Sequence, residues 1–582
     1  MTPMKKSTRL LLWTALLGFL LFMISVLAVV LLFSFDGSLP GAEPRTLLVK
    51  LGGDLPDGPP QGAFILDETD FPPLLTEVSE AIRQAADDDD VAGIYLEIQP
   101  VALGLAGVQE LADALHTFRG SGKPCEVQAD LLTNKEYLLA AACGTIHLAP
   151  AGLMLVNGLS VEANYYAGTL DKVGVKPNFE HVGDFKSAVE IFERAGPSDA
   201  AQEATNSLLD SLFEQFVALV ARGRGLEPDR VRALIDAAPI TPQQAIEAGL
   251  VDDTAYSGAH KPDDDDIITL KRYIARQRRE DQASPKIAVV HAEGEIISGE
   301  SGSGMMGGRY LGDEDLIADL HQVQEDDDVV AVVLRVDSPG GSGLASDNIW
   351  NAVQELKQHK PVVASMGDYA ASGGYYISAG SSFIVAQPGT ITGSIGVFGG
   401  KMNVRGLYEK VGVSLFGYKR GELADMLSST QDFSEPGRAR FREFLEAFYQ
   451  LFLDRAAEGR GMDREAVHAV AQGRVWTGAQ ALERGLVDDL GGLDVAIRHA
   501  RELAKVEGET GILRLPRQRT VIEEVMDDLQ GDDDEVQARA LSAALAAIPG
   551  AGEALLHLEM LSHALGAEGG VAAMLPYSLE VR

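Results

Sequence analysis

Short strings of valine and isoleucine alternate with amphipathic segments along most of the chain. Residues 329–336 are almost continuously apolar, the pattern of a strand buried on both faces, and residues 344–357 follow with helical spacing. Residues 361–365, 382–386 and 395–398 read as further strands. Strand, turn and helix units repeated in this way predict an α/β layered fold. The pattern is also written twice. Residues 90–96 align with 328–334 and residues 171–175 with 409–413, both 238 positions apart, and residues 244–253 align with 480–489, 236 apart. The repeat divides the chain into a first copy, 46–255, a linker, 256–285, and a second copy, 286–493, with an N-terminal segment, 1–36, and a C-terminal helical tail, 494–582.

The alignment exposes what each copy lacks. Gly340-Gly341 and Ser372 of the second copy fall opposite Ala102-Leu103 and Asn134, while Lys186 of the first falls opposite Ala424. Function is therefore expected to need both halves, with the two side chains of one site supplied by the same chain.

At 582 residues the chain suits two domains plus tails. A net charge of −37 excludes nucleic acid and anionic lipid as partners of the folded body, since it repels phosphate. The acidic runs 87–90, 263–266 and 326–328 lack the alternating spacing of a calcium loop and read as solvated loops. Residues 10–33 carry no charge and reach about 36 Å as a helix, enough to cross a bilayer. Lys5, Lys6 and Arg9 precede them, which places the N-terminus in the cytoplasm and the body across the membrane. The run exceeds the apolar core of a cleaved signal peptide, so an uncleaved anchor is expected. Residues 271–279 read as a solvated basic linker helix. Cys125 and Cys143 are the two cysteines, and either a bridge or two buried thiols fits them.

Four segments bear chemistry. The strand at 329–336 ends in Asp337-Ser-Pro-Gly-Gly-Ser-Gly343, where consecutive glycines let backbone N–H groups approach a phosphate or an oxyanion. Ser372, in Gly367-Asp-Tyr-Ala-Ala-Ser-Gly-Gly-Tyr-Tyr376, stands at the start of a helical stretch, and Thr390-Ile-Thr-Gly-Ser-Ile-Gly396 is another glycine-bounded loop. A nucleophilic serine needs a base, and no histidine of the second copy is placed for the task. Lys186 is the better candidate. Ser187-x-x-Glu190 reads as a capping box, which sets Lys186 just before a helix N-cap, where burial and the helix dipole both disfavour its ammonium.

In these motifs the chain resembles the signal peptide peptidase A family, membrane-anchored Ser/Lys peptidases, in its long duplicated form. The resemblance covers about residues 46–500 and the anchor. It implies tandem Clp protease/crotonase-type domains behind a transmembrane helix, Ser372 as nucleophile, Lys186 as general base, backbone N–H groups at Gly340 and Gly341 as the oxyanion site, and an auxiliary hydroxyl at Ser394. It also implies a homo-oligomer, with a tetramer favoured, on the outer face of the cytoplasmic membrane, acting on signal peptides and other unfolded peptides. No metal or organic cofactor is implied. Two other functions compete: a crotonase-type acyl-coenzyme A enzyme, which shares the paired-amide site, and a non-catalytic scaffold in a membrane complex.

Overall fold

The valine-rich strings become the strands of largely parallel sheets, and in the second copy the central ones are buried on both faces. The first copy holds β1 (Arg45–Gly53), β2 (Val91–Val101), β3 (Cys125–Thr133), β4 (Thr145–Leu155), β5 (Lys176–Val182) and β6 (Asp253–Thr254), and the linker holds β7 (Ile267–Thr269). The second copy adds β8 (Lys286–Glu293), β9 (Glu295–Ile297), β10 (Gly302–Ser303), β11 (Arg309–Gly312), β12 (Val329–Ser338), β13 (Gly340–Ser342), β14 (Val362–Ala371), β15 (Phe383–Ala386), β16 (Ile391–Gly393) and β17 (Val397–Asn403). Four more follow: β18 (Val475–Thr477), β19 (Asp489–Leu490), β20 (Gly511–Leu515) and β21 (Val571–Met574). The computed structural model describes residues 43–59, 72–280, 283–303, 308–508, 510–517 and 571–574. The apolar run 10–33 and most of the tail lie outside the described residues. Among the described residues no helix is long and apolar enough to cross a membrane.

Two sheets carry the repeat. One runs β6-β4-β3-β2-β1-β7 and the other β18-β16-β14-β12-β8-β20, with β15 paired to β14 and β19 paired to β15. The predicted helix at 344–357 is Gly343–Lys357, started by Ser342, whose Oγ accepts from Ala345 N.

The copies are interleaved rather than merely joined, and the described residues from Thr46 onward form one compact unit. A third sheet, β10-β11-β9-β13-β21-β17-β5, takes its edge strand β5 from the first copy. The fully buried Arg335 on β12 donates to Asp57 Oδ1 at 2.7 Å and Glu110 Oε2 at 2.8 Å, both on the first copy. The linker helix Leu270–Glu280 is not solvated as its sequence suggests. Tyr273 and Ile274 are buried, Arg278 pairs with Glu77 at 2.8 Å, and Arg276 pairs with Asp88 and Asp90. The acidic run 87–90 is thus in part a docking surface for this helix. Cys125 and Cys143 form a disulfide with Cα atoms 5.3 Å apart.

Candidate active site

Strand pairing brings the two complementary segments together. β5 runs antiparallel to β17 with Val182 opposite Val397, so the chain leaving β5 toward Lys186 lies beside the chain entering β17 from Ser394. Lys186 Nζ stands 2.6 Å from Ser372 Oγ, and 3.0 Å from both the carbonyl oxygen and Oγ of Ser394. Lys186 is 1% exposed, and Ser372 and Ser394 are fully buried. The meeting occurs within one chain.

Ser372 sits between β14 and the helix Gly373–Ala379, with φ 56° and ψ −111°. This backbone costs a non-glycine residue on the order of 1–3 kcal/mol and persists only where the surroundings impose it. Part of that constraint is the Ser372 N–H, which donates to Gly393 O at 2.8 Å.

Burial pushes the Lys186 amine well below the usual lysine range. The helix dipole invoked from the sequence is not the cause. The helix that follows is the single turn Glu190–Glu193 with Val189 at its N-cap and no side-chain cap. Instead of closing a capping box, the Glu190 carboxylate accepts from Ser198 N at 2.9 Å.

Gly340 and Gly341 have φ of 102° and 157°. A Cβ on Gly341 would stand 2.0 Å from Ile296 O, so glycine is required where β13 meets β9. The Ser372-Gly373 turn packs on this loop, because a Cβ on Gly373 would lie 3.2 Å from Gly341 N. Gly340 N–H donates to Ser338 Oγ at 3.2 Å. Behind the loop, burial pushes the carboxyls of Asp337 and Asp368 up, and for Asp337 the neighbouring Asp368 adds to the effect. Asp368 accepts from Gly104 N and Gly107 N of the first copy at 2.7 and 2.9 Å, tying the serine loop to the other repeat.

The sequence profile of peptidase family S49 matches residues 117–260 and 354–507, once in each copy. The chain is 33% identical over 478 residues to the chloroplastic serine protease SPPA of Arabidopsis thaliana, covering 78% of this chain and 69% of that protein. Against Protease 4 of Salmonella typhi it is 33% identical over 493 residues, covering 81% and 79%. The chain belongs to peptidase family S49. It is a serine protease, and the acyl-coenzyme A and scaffold alternatives give way. The first S49 segment contains Lys186, and the second contains Ser372 and Ser394.

Sequence reasoning missed the segment that holds this candidate site together. Gln472 and Gly473 both have positive φ, 56° and 79°. Gln472 O accepts from Phe185 N at 2.8 Å, Gly473 N donates to Ile395 O at 2.7 Å, and Arg474 O accepts from Ser394 N at 2.7 Å. These three residues therefore brace the backbone beside both Lys186 and Ser394. A Cβ on Gly473 would lie 2.5 Å from Lys186 Cβ, and one on Gly183 2.4 Å from Gln472 C. Gly183 is visible in the lysine motif, but nothing local to Gln472-Gly473 advertises its role. Among the described residues, those around Ser372 include no group of three metal-ligating side chains.

Proposed function

We propose that this serine protease is an endopeptidase with a Ser372/Lys186 dyad that degrades extended peptides, cleaved signal peptides among them. The observation that carries the reading is the environment of Lys186 Nζ. A neutral amine has two N–H groups and one lone pair. The Ser394 carbonyl oxygen and hydroxyl, each at 3.0 Å, take the two N–H groups, which leaves the lone pair to accept the Ser372 hydroxyl proton across 2.6 Å. Burial supports the neutral form.

In the mechanism this supports, Ser372 Oγ attacks the peptide carbonyl carbon as Lys186 Nζ takes the hydroxyl proton. The carbonyl oxygen becomes an oxyanion beside the Gly340-Gly341 backbone. The Gly340 N–H gives up the neutral Ser338 hydroxyl for this charged and stronger acceptor. The Lys186 ammonium then protonates the leaving amine, and the C–N bond breaks to give an acyl-enzyme. Water, deprotonated by Lys186 in the second half, hydrolyses the ester and restores Ser372.

Substrate binding as an added strand follows from the third sheet. β21 lies between β13 and β17 and pairs antiparallel with β13, Gly341 opposite Ala573, so the slot beside Ser372 takes an extended backbone, and a substrate strand would enter it by displacing β21. Main-chain pairing selects unfolded peptides over folded proteins. In this reading residues 10–33 anchor the body at the outer face of the cytoplasmic membrane, and the chain works as a homo-oligomer.

The test is digestion of synthetic signal peptides and of a folded protein, read by mass spectrometry, with wild type and Ser372→Ala. The reading expects internal cleavage of the peptides alone, abolished in the variant. Undiminished cleavage by Ser372→Ala would overturn it.

A further inference from the structure

At the β6 edge of the first sheet, side chains from three separate segments converge. Glu126 on β3, His147 on β4 and His260 in the linker each place one ligand atom within 4.8 Å of the others. Strand alignment builds the cluster. Thr145 stands opposite Glu126, so His147, two residues on, projects from the same face, directly opposite Asp253 on β6.

His147 is 4% exposed, and its Nδ1 lies 2.6 Å from Asp253 Oδ1. Donation of the Nδ1 proton to that carboxylate leaves the lone pair on Nε2. Nε2 is buried without a hydrogen-bond partner. It faces Glu126 Oε2 at 3.7 Å, an acceptor opposite an acceptor. Two such groups repel unless a proton or a metal cation lies between them, and 3.7 Å is too long for a hydrogen bond. The separation is close to the ~3.4 Å expected of two ligands that meet a tetrahedral ion through bonds of about 2.1 Å. The His260 ring is stacked on His147, centroids 4.0 Å apart, with its Nε2 4.0 Å from Asp253 Oδ2. Because His260 is exposed, rotation about its side-chain bonds can turn a ring nitrogen to the same point.

We propose that Glu126, His147 and His260 bind a zinc ion, with water as the fourth ligand and Asp253 holding His147 in its ligating tautomer. Two imidazoles and one carboxylate in a partly buried site suit Zn2+ better than the harder calcium or magnesium. The ion is structural. None of these side chains joins the hydrogen bonds around Ser372 and Lys186, and two of the three ligands come from strands of the first copy while the third comes from the linker. Zinc therefore pins the start of the linker to the first sheet, beside the Cys125–Cys143 bridge that already joins β3 to the helix before β4.

The full-length protein, stripped with a chelator and dialysed, is titrated with zinc chloride by calorimetry and melted with and without the metal. One zinc per chain is expected, with a higher melting temperature. His260→Ala and Glu126→Gln, both outside the packed core, are expected to weaken binding tenfold or more, and Asp253→Asn by 10- to 100-fold. Absence of a stoichiometric site in the wild type, or unchanged affinity in both His260→Ala and Glu126→Gln, overturns the proposal. The first outcome leaves His147 and Asp253 as a hydrogen-bonded pair, and the second moves the metal elsewhere.

Discussion

Replacing Lys186 with methionine should abolish activity while making the protein more stable at neutral pH, a pairing of signs that simple damage to the fold cannot produce. In an unfolded chain lysine has a pKa near 10.4, so holding it unprotonated at pH 7 costs about 4.6 kcal/mol. Three hydrogen bonds, to Ser372 and twice to Ser394, offset this by about 1 kcal/mol each. Methionine fills a similar volume with no charge to desolvate, which leaves the variant about 1–2 kcal/mol more stable. Because the folded pKa is depressed, the unfolded wild type carries a proton that the folded form lacks. Wild-type stability therefore rises with pH by about 1.4 kcal/mol per unit up to the unfolded pKa, and is lost as pH falls toward the folded one. The variant has no such slope, so its advantage disappears near about pH 8 and reverses above it. Hydrolysis of a fluorogenic peptide should fall by about 10³-fold or more. Calorimetric melts from pH 6.5 to 9.5, run beside that assay, decide the matter. A variant that keeps more than a tenth of the activity, or one less stable than wild type at pH 7 with no pH dependence in the difference, refutes the reasoning.

The remaining expectations rest on the same geometry. The wild-type pH–rate profile should rise with pH through the depressed Lys186 pKa and show no maximum on the acid side, as steady-state hydrolysis across pH will reveal. Gly473→Ala forces a Cβ to within 2.5 Å of Lys186 Cβ at a φ of 79°, so kcat should fall by about 10²-fold, checked beside a thermal melt. Ala573→Pro removes an N–H from the strand paired with Gly341 and should free that edge, lowering KM for peptides without changing kcat. Arg335→Ala strands Asp57 and Glu110 without their partner and should cost about 3–5 kcal/mol in denaturant unfolding.

Much of this fold is legible in the chain because local pattern and burial agree. Residues 329–336 are apolar on both faces and form the central β12, and the helical spacing of 344–357 marks the helix Gly343–Lys357. Lys186 and Ser372 can be paired from the amino-acid sequence because each is replaced in the opposite copy, so the repeat acts as its own comparison. Contacts between distant segments are not legible in this way. Ser187-x-x-Glu190 has the residues of a capping box, yet Glu190 is drawn to Ser198 N and the helix shrinks to one turn. The brace at Gln472–Gly473 depends on backbone conformation rather than on side-chain chemistry. Two repeats of domain size also suggest separate bodies, whereas β5 joins the second copy's sheet and Arg335 pairs with Asp57 and Glu110 of the first copy. An isolated second copy would thus lose a strand and expose a buried charge, which argues against its folding alone.

The central claim is that one active site is divided between the two copies, and labelling of the full-length protein with a fluorophosphonate tests it most directly. Intact mass and peptide mapping are compared for wild type, Ser372→Ala and Lys186→Met, with folding verified by melting. The divided site predicts one adduct per chain, on Ser372, absent from Ser372→Ala and slowed by orders of magnitude in a folded Lys186→Met. Labelling of another serine, or of Ser372 at the wild-type rate in Lys186→Met, would contradict it.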